Sequence, residues 1–205
     1  MPNPKLIALF DMDGTLCNYD KALLQRLQNL QAPGEDRILE VPRGDDVPSF
    51  LSARMNLIRA SKEWWAKIPR LGLGFDVLDA CNQLGFRCMI LTQGPKRNPD
   101  AWAGKKMWIN ANLGNDFDIT ITRDKSLVYG KILVDDYPPY IEEWLKWRPR
   151  STVIMPASAG NKDFTHPQVI RYAGDGDWPK VHGALVSIVK AFKESDLEQH
   201  TCEAT

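Results

Sequence analysis

KLIALFDMDGTLCNYD, residues 5–20, decides how the rest of the chain is read. An apolar run, Leu6 to Phe10, stops abruptly at Asp11-Met12-Asp13-Gly14-Thr15. The run has the length and composition of a buried strand. Two carboxylates one residue apart at its end repel each other and resist desolvation. Something must need two negative charges there, and something must neutralise them.

Composition narrows what that can be. The chain has 205 residues, enough for one core domain and an insertion. Its 26 basic and 26 acidic residues leave no net charge, which argues against a long nucleic acid or a membrane surface as partner. A small anion in a local basic pocket is still allowed. Cys17, Cys81, Cys88 and Cys202 form no CxxC pair, so free thiols in a reducing compartment are expected. No apolar run approaches ~18 residues, so no membrane span is expected. The opening MPNPKLIALFDMDG is broken by charge and does not read as a signal peptide, which makes a cytoplasmic location the default expectation.

Short apolar runs recur along the chain: LIALF (6–10), FRCMIL (86–91), DITIT (118–122), KILVD (131–135), STVIM (151–155) and VIRY (169–172). They are apolar throughout rather than alternating, as suits strands buried on both faces of a parallel sheet. Helical segments are predicted between them: Phe75 to Leu84 before Gly85, Ala101 to Leu113 before Gly114, and Tyr140 to Trp147 before Pro149. A last helix is predicted from Asp177-Trp178-Pro179 to about Lys193, with Asp177 as cap rather than as part of a second cation site with Asp175. Strand and helix alternate, so the fold class is α/β with a doubly wound, Rossmann-like parallel sheet. Residues 20–69 break the rhythm with two helical stretches, Lys21 to Leu30 and Ser49 to Ile68, around a turn-rich, charged link. The expected division is a core of 1–19 with 70–196, a small helical cap of 20–69, and a flexible tail of 197–205. An insertion after the first strand overhangs the strand ends where open α/β sheets bind ligands.

In a parallel sheet every strand ends on the same edge. Asp11, Asp13, Thr92, Lys125, Asp135 and Asp136 all follow strand ends and can therefore converge. Clustered carboxylates with open positions suit a hard divalent cation such as Mg²⁺. One carboxylate can attack phosphorus, and another two residues on can protonate the leaving group and then activate water. A lysine and a hydroxyl can balance charge on the phosphoryl oxygens. Lys131 competes with Lys125 for the lysine role, but it stands at a strand start and is expected to face solvent.

FDMDGTL, LTQGP, Lys125 and LVDDYP resemble, in order, the four motifs of the haloacid dehalogenase-like phosphotransferase superfamily. The resemblance is closer to its 5'(3')-deoxyribonucleotidase branch. That branch has a helical cap of this size and a basic residue two positions before the motif lysine, as Arg123 is here. Its lysine lies ten residues before a DD pair, as Lys125 precedes Asp135, and it has a further lysine four residues after the motif threonine, as Lys96 follows Thr92. The resemblance implies Asp11 as nucleophile and metal ligand. It implies Asp13 as acid/base and as a ligand through its carbonyl. Asp136, with Asp135 beside it, is the implied remaining ligand. Where the branch usually has threonine-serine-proline, this chain has Thr92-Gln93-Gly94-Pro95, so the phosphate loop carries Gln93 and an extra glycine in place of a serine hydroxyl.

The expected function is a Mg²⁺-dependent phosphomonoesterase acting on (deoxy)nucleoside monophosphates through an aspartyl phosphate. Two alternatives stand beside it: a phosphatase for another small ester or a polynucleotide end, and a silent binding or regulatory module of the same fold. The expected partner is the small phosphate ester, with a homodimer as an option. Phe50, Trp64 and Trp65 are the cap aromatics that can stack on a base, although such rings more often pack a helix onto a core. His166, His182 and His200 lack metal-ligand spacing, and surface roles are expected for them.

Overall fold

The computed structural model describes residues 6–44, 46–96 and 98–202. Six parallel strands form one sheet in the order β3-β2-β1-β4-β5-β6. They are β1 (Ile7–Phe10), β2 (Arg87–Thr92), β3 (Ile119–Ile121), β4 (Ile132–Val134), β5 (Thr152–Pro156) and β6 (Val169–Tyr172). All six fall on the apolar runs. Seven helices accompany them: α1 (Tyr19–Asn29), α2 (Ser49–Arg59), α3 (Lys62–Ala66), α4 (Gly72–Gln83), α5 (Pro99–Leu113), α6 (Pro138–Lys146) and α7 (Trp178–Cys202). The fold is the expected doubly wound α/β arrangement.

The residues form two compact units. The first holds the described residues of 1–16, 71–92 and 118–205, and so the whole sheet with α4, α6 and α7. β1 lies between β2 and β4, with Phe10 level with Ile90 and Val134. On one sheet face Leu9, Leu91, Leu133, Val153 and Met155 pack with Ile141, Trp144 and Leu145 of α6. The alternate residues Ala8, Phe10, Ile90, Ile132, Val134 and Ile154 point the other way and are equally buried. Burial on both faces is why the strands read as unbroken apolar runs.

The second unit comprises 17–70 and 93–117. It thus contains α5 as well as the insertion. Leu23 and Leu27 of α1 pack with Met55 and Ile58 of α2, flanked by Tyr19, Leu30 and Trp64. The helix predicted over 49–68 is broken at Ala60–Ser61, because the Ser61 hydroxyl accepts from the Trp64 N–H and starts α3 afresh. Asn98 caps α5 in the same way, with Pro99 in its first turn. A Cβ at Gly104 would strike Trp65, so α5 approaches α3 closely only because residue 104 is glycine.

Helix α7 extends past the expected end near Lys193 and carries the backbone to Cys202; of the expected tail, only 203–205 lie outside the described residues. Among the described residues Cys17, Cys81 and Cys88 form no disulfide. No described helix is long and apolar enough to cross a membrane.

Candidate active site

The site lies where β1, β2, β3 and β4 end. After Phe10 the Asp11 N–H donates to the Val134 carbonyl at 2.8 Å, extending the pairing of β1 with β4 by one residue. The chain then turns sharply, with the Thr15 and Leu16 N–H groups both donating to the Met12 carbonyl. Gly14 takes φ +77°, where an L side chain is strained. A Cβ there would also lie 2.6 Å from Asp136 Cγ and Oδ1. The DxDGT turn therefore needs glycine twice, for its backbone and for the carboxylate beside it. The Thr15 hydroxyl donates to Asp136 Oδ1 at 3.4 Å. Helix α4 presses on the same turn, because a Cβ at Gly74 would collide with the Thr15 carbonyl.

Lys125 answers part of the charge problem. It opens a short 3₁₀ turn, Lys125–Leu127, capped by the Asp124 carboxylate accepting from the Ser126 N–H at 2.9 Å. Its ammonium lies 2.8 Å from Asp11 Oδ1 and 2.6 Å from Asp135 Oδ2, with 2% of the side chain exposed. Burial alone would push its pKa down; the two carboxylates reverse this and hold it above that of free lysine. Asp135 is pushed up to about 6, first by burial and then by Asp11, with Lys125 opposing. Asp136 is held well above the usual carboxylate range, by burial and then by Asp135 and Asp11. Lys131, its competitor, stands just before β4, where its N–H donates to the Ile7 carbonyl.

Asp11, Asp135 and Asp136 each offer one carboxylate oxygen, and these oxygens lie within 4.8 Å of one another. Three oxygen donors at that spacing, with net negative charge, fit a hard divalent cation. The two neighbours are not equivalent. Asp135 is fully buried and has both oxygens engaged, Oδ1 by the Tyr137 N–H at 3.0 Å and Oδ2 by Lys125. Asp136 is half-buried, and among the described residues its carboxylate accepts the long Thr15 bond.

The remaining expected residues separate. Asp13 is half-buried on the turn, and Thr92 is fully buried at the end of β2. Arg123 is exposed two residues before Lys125, with no ion pair among the described residues. Gln93 and Lys96 belong to the second unit, as half-buried and exposed loop residues. In that unit Trp65 is 3% exposed and its indole N–H donates to the Arg59 carbonyl at 2.8 Å, so it is a packing residue. Trp64 is half-buried and meets Trp65 and Tyr19 edge-on. Phe50 is 51% exposed beneath the Arg54 guanidinium.

Two residues were missed by sequence reasoning. Asn161 is buried after β5, and its amide donates to the Asp136 and Pro156 carbonyls at 3.0 and 2.9 Å. Its own oxygen accepts the Ser158 N–H, so it is fully engaged in holding the β4 loop to β5. Nothing in SAGN marks it. Tyr140, in the first turn of α6, lays its ring 4.8 Å from the Lys125 ammonium. Its only signal is its place four residues after Asp136.

No family model matches the chain. In sequence it is similar to a Bordetella pertussis protein named "Putative 5'(3')-deoxyribonucleotidase", at 23% identity over 139 residues, or 65% of this chain and 75% of that one. In structure it is similar to a haloacid dehalogenase-like hydrolase of Burkholderia xenovorans LB400, with a TM-score of 0.54 and 15% identity across 89% of this chain and 99% of that one. A HAD family hydrolase of Deinococcus radiodurans R1, solved with phosphate and sodium, gives a TM-score of 0.47 at 12% identity over 93% and 97% of the two chains. The chain therefore shares the fold of the Burkholderia haloacid dehalogenase-like hydrolase. In sequence it resembles the Bordetella protein that is named for the deoxyribonucleotidase branch.

Proposed function

We propose that the chain is a Mg²⁺-dependent phosphomonoesterase that hydrolyses nucleoside monophosphates, deoxy forms included, through an aspartyl phosphate. One observation carries the reading: a buried lysine bridges Asp11 and Asp135 while Asp136 stands within ligand distance of both. Asp11, Asp136 and the Asp13 carbonyl would hold the ion, with Asp135 beside them. Bound there, Mg²⁺ supplies positive charge against the phosphoryl oxygens.

Asp11 attacks phosphorus through a carboxylate oxygen, and the P–O bond to the leaving group breaks. Asp13 gives that oxygen its proton. Asp13 then takes a proton from the water that attacks the aspartyl phosphate, which restores Asp11 and releases inorganic phosphate. Lys125 has three N–H donors and spends two on Asp11 and Asp135, which leaves one for a phosphoryl oxygen. The Thr92 hydroxyl is assigned to the phosphate by its place at the end of β2, and Arg123, Gln93 and Lys96 by the resemblance to the deoxyribonucleotidase motifs. The two engaged oxygens of Asp135 support Asp136 as the more direct metal ligand.

The nucleotide specificity is supported by the Bordetella relative's name and by the branch's lysine and arginine spacing. The test is turnover of a nucleoside monophosphate panel beside p-nitrophenyl phosphate, with Mg²⁺ and with chelator. Nucleotides cleaved no better than p-nitrophenyl phosphate would leave a phosphatase for another small ester. No turnover of any ester would leave the binding module.

A further inference from the structure

We propose that Tyr140 is a positioning residue for Lys125, and that its ring face fixes the direction of the lysine's third donor. The proposal rests on the phosphatase reading for its consequence but not for its geometry. The ammonium is held from three sides: Asp11 at 2.8 Å, Asp135 at 2.6 Å, and the Tyr140 ring centroid at 4.8 Å. A lysine ends in a long flexible stem, and its ammonium can rotate between acceptors. Two carboxylates alone leave it free to swing about the line joining them. A ring face on the third side removes that freedom without accepting a strong hydrogen bond, so no donor is lost from the phosphate.

The ring is itself fixed. Tyr137 precedes Pro138, which favours an extended backbone at 137, and Pro138 opens α6. The Tyr140 N–H donates to the Tyr137 carbonyl at 3.1 Å, and the Tyr137 ring meets that of Tyr140 edge-on at 4.9 Å. The Tyr137 N–H holds Asp135 Oδ1 at 3.0 Å. One short stretch, Asp135 to Tyr140, thereby places both a carboxylate and a ring against the same ammonium.

The test compares Tyr140→Phe, Tyr140→Leu and wild type for kcat and KM on p-nitrophenyl phosphate. Tyr140→Leu should lower kcat by about ten- to thirty-fold with a smaller change in KM, the scale of a desolvated cation–π contact. Tyr140→Phe keeps the ring and should restore most of the rate. An unchanged kcat in Tyr140→Leu overturns the proposal, and so does a phenylalanine variant as slow as the leucine one. If wild type cleaves no phosphate ester, the phosphatase reading fails, and a stability cycle of Tyr140→Leu with Lys125→Met decides the contact by itself. Melting-temperature losses smaller in the double variant than the two single losses together support it; additive losses overturn it.

Discussion

Replacing Lys125 by methionine keeps an unbranched apolar stem and deletes the terminal ammonium with its charge. The structure sets the expected size of the effect. The ammonium is 2% exposed and contacts two carboxylates at 2.8 and 2.6 Å, so its loss leaves buried negative charge without a partner. Breaking one side of a buried pair typically costs about 3–5 kcal/mol. For a chain of this size each kcal/mol moves the melting temperature by roughly 2–4 °C, so a fall of about 6–20 °C is expected. The loss should depend on pH. Burial pushes the Asp135 carboxyl up to about 6, above its unfolded value of about 3.9, so the fold holds this proton to higher pH than the unfolded chain does. Stability from this group is therefore greatest at low pH and falls as pH rises through that window. Lys125 opposes the upward shift of Asp135, so its removal widens the window upward and deepens the fall. Scanning calorimetry in chelator should thus show a larger deficit near about pH 7.5 than near about pH 4.5, where Asp135 and Asp136 can neutralise themselves. Excess Mg²⁺ should raise the variant's own stability at the higher pH, by about 2.7 kcal/mol at roughly a hundred times its Kd for the variant. An equal deficit at both pH values, or none at the higher one, would refute the view that Lys125 neutralises this cluster.

Gly14→Ala should abolish turnover and lower stability by about 1–3 kcal/mol, because it strains a φ of +77° and displaces the Asp136 carboxylate; denaturant melts and a steady-state assay check both. Asp11→Asn should remove turnover while the melting curve survives, since an amide does not attack phosphorus; wild-type turnover in it would sink the covalent route. Trp65→Ala should cost about 3–5 kcal/mol as a buried ring loss, whereas Phe50→Ala, at 51% exposure, should leave the melting temperature nearly unchanged. If Phe50 or Trp64 reads a base, its alanine variant should lose about ten- to a hundred-fold in kcat/KM on nucleotides and spare p-nitrophenyl phosphate.

The parts legible in the sequence are those where one local rule acts. The central strands were found because burial on both faces leaves an unbroken apolar run, as in IALF and ILV. Asp11, Lys125, Asp135 and Asp136 were found because strand ends in a parallel sheet share an edge. The join of α2 and α3 was hidden, since the apolar spacing of 49–68 runs through it and only the Ser61 hydroxyl breaks the helix. The place of α5 with the insertion was hidden too, because its periodicity says that it is a helix and not which surface covers it. Asn161 and Tyr140 act through contacts across 25 and 15 residues, to the Asp136 carbonyl and to Lys125. Neither residue type is unusual where it stands.

Charge balance ties these pieces together. Asp11, Asp135 and Asp136 carry three negative charges when ionised, and Lys125 returns one. Among these four the remainder is two negative charges, before the Asp13 carboxylate that also acts on Asp136 is counted, and among the described residues Lys125 pairs with Asp11 and Asp135 rather than with Asp136. Burial first, and then the neighbouring carboxylates, hold Asp135 and Asp136 above the usual carboxylate range. A cluster built only for stability would pair each buried acid with its own base, because an unmatched buried charge costs several kcal/mol. Here the chain spends glycine at 14 and the Asn161 amide to hold the unmatched acid in place. That outlay makes physical sense if the site is shaped to receive a cation that the sequence itself does not supply.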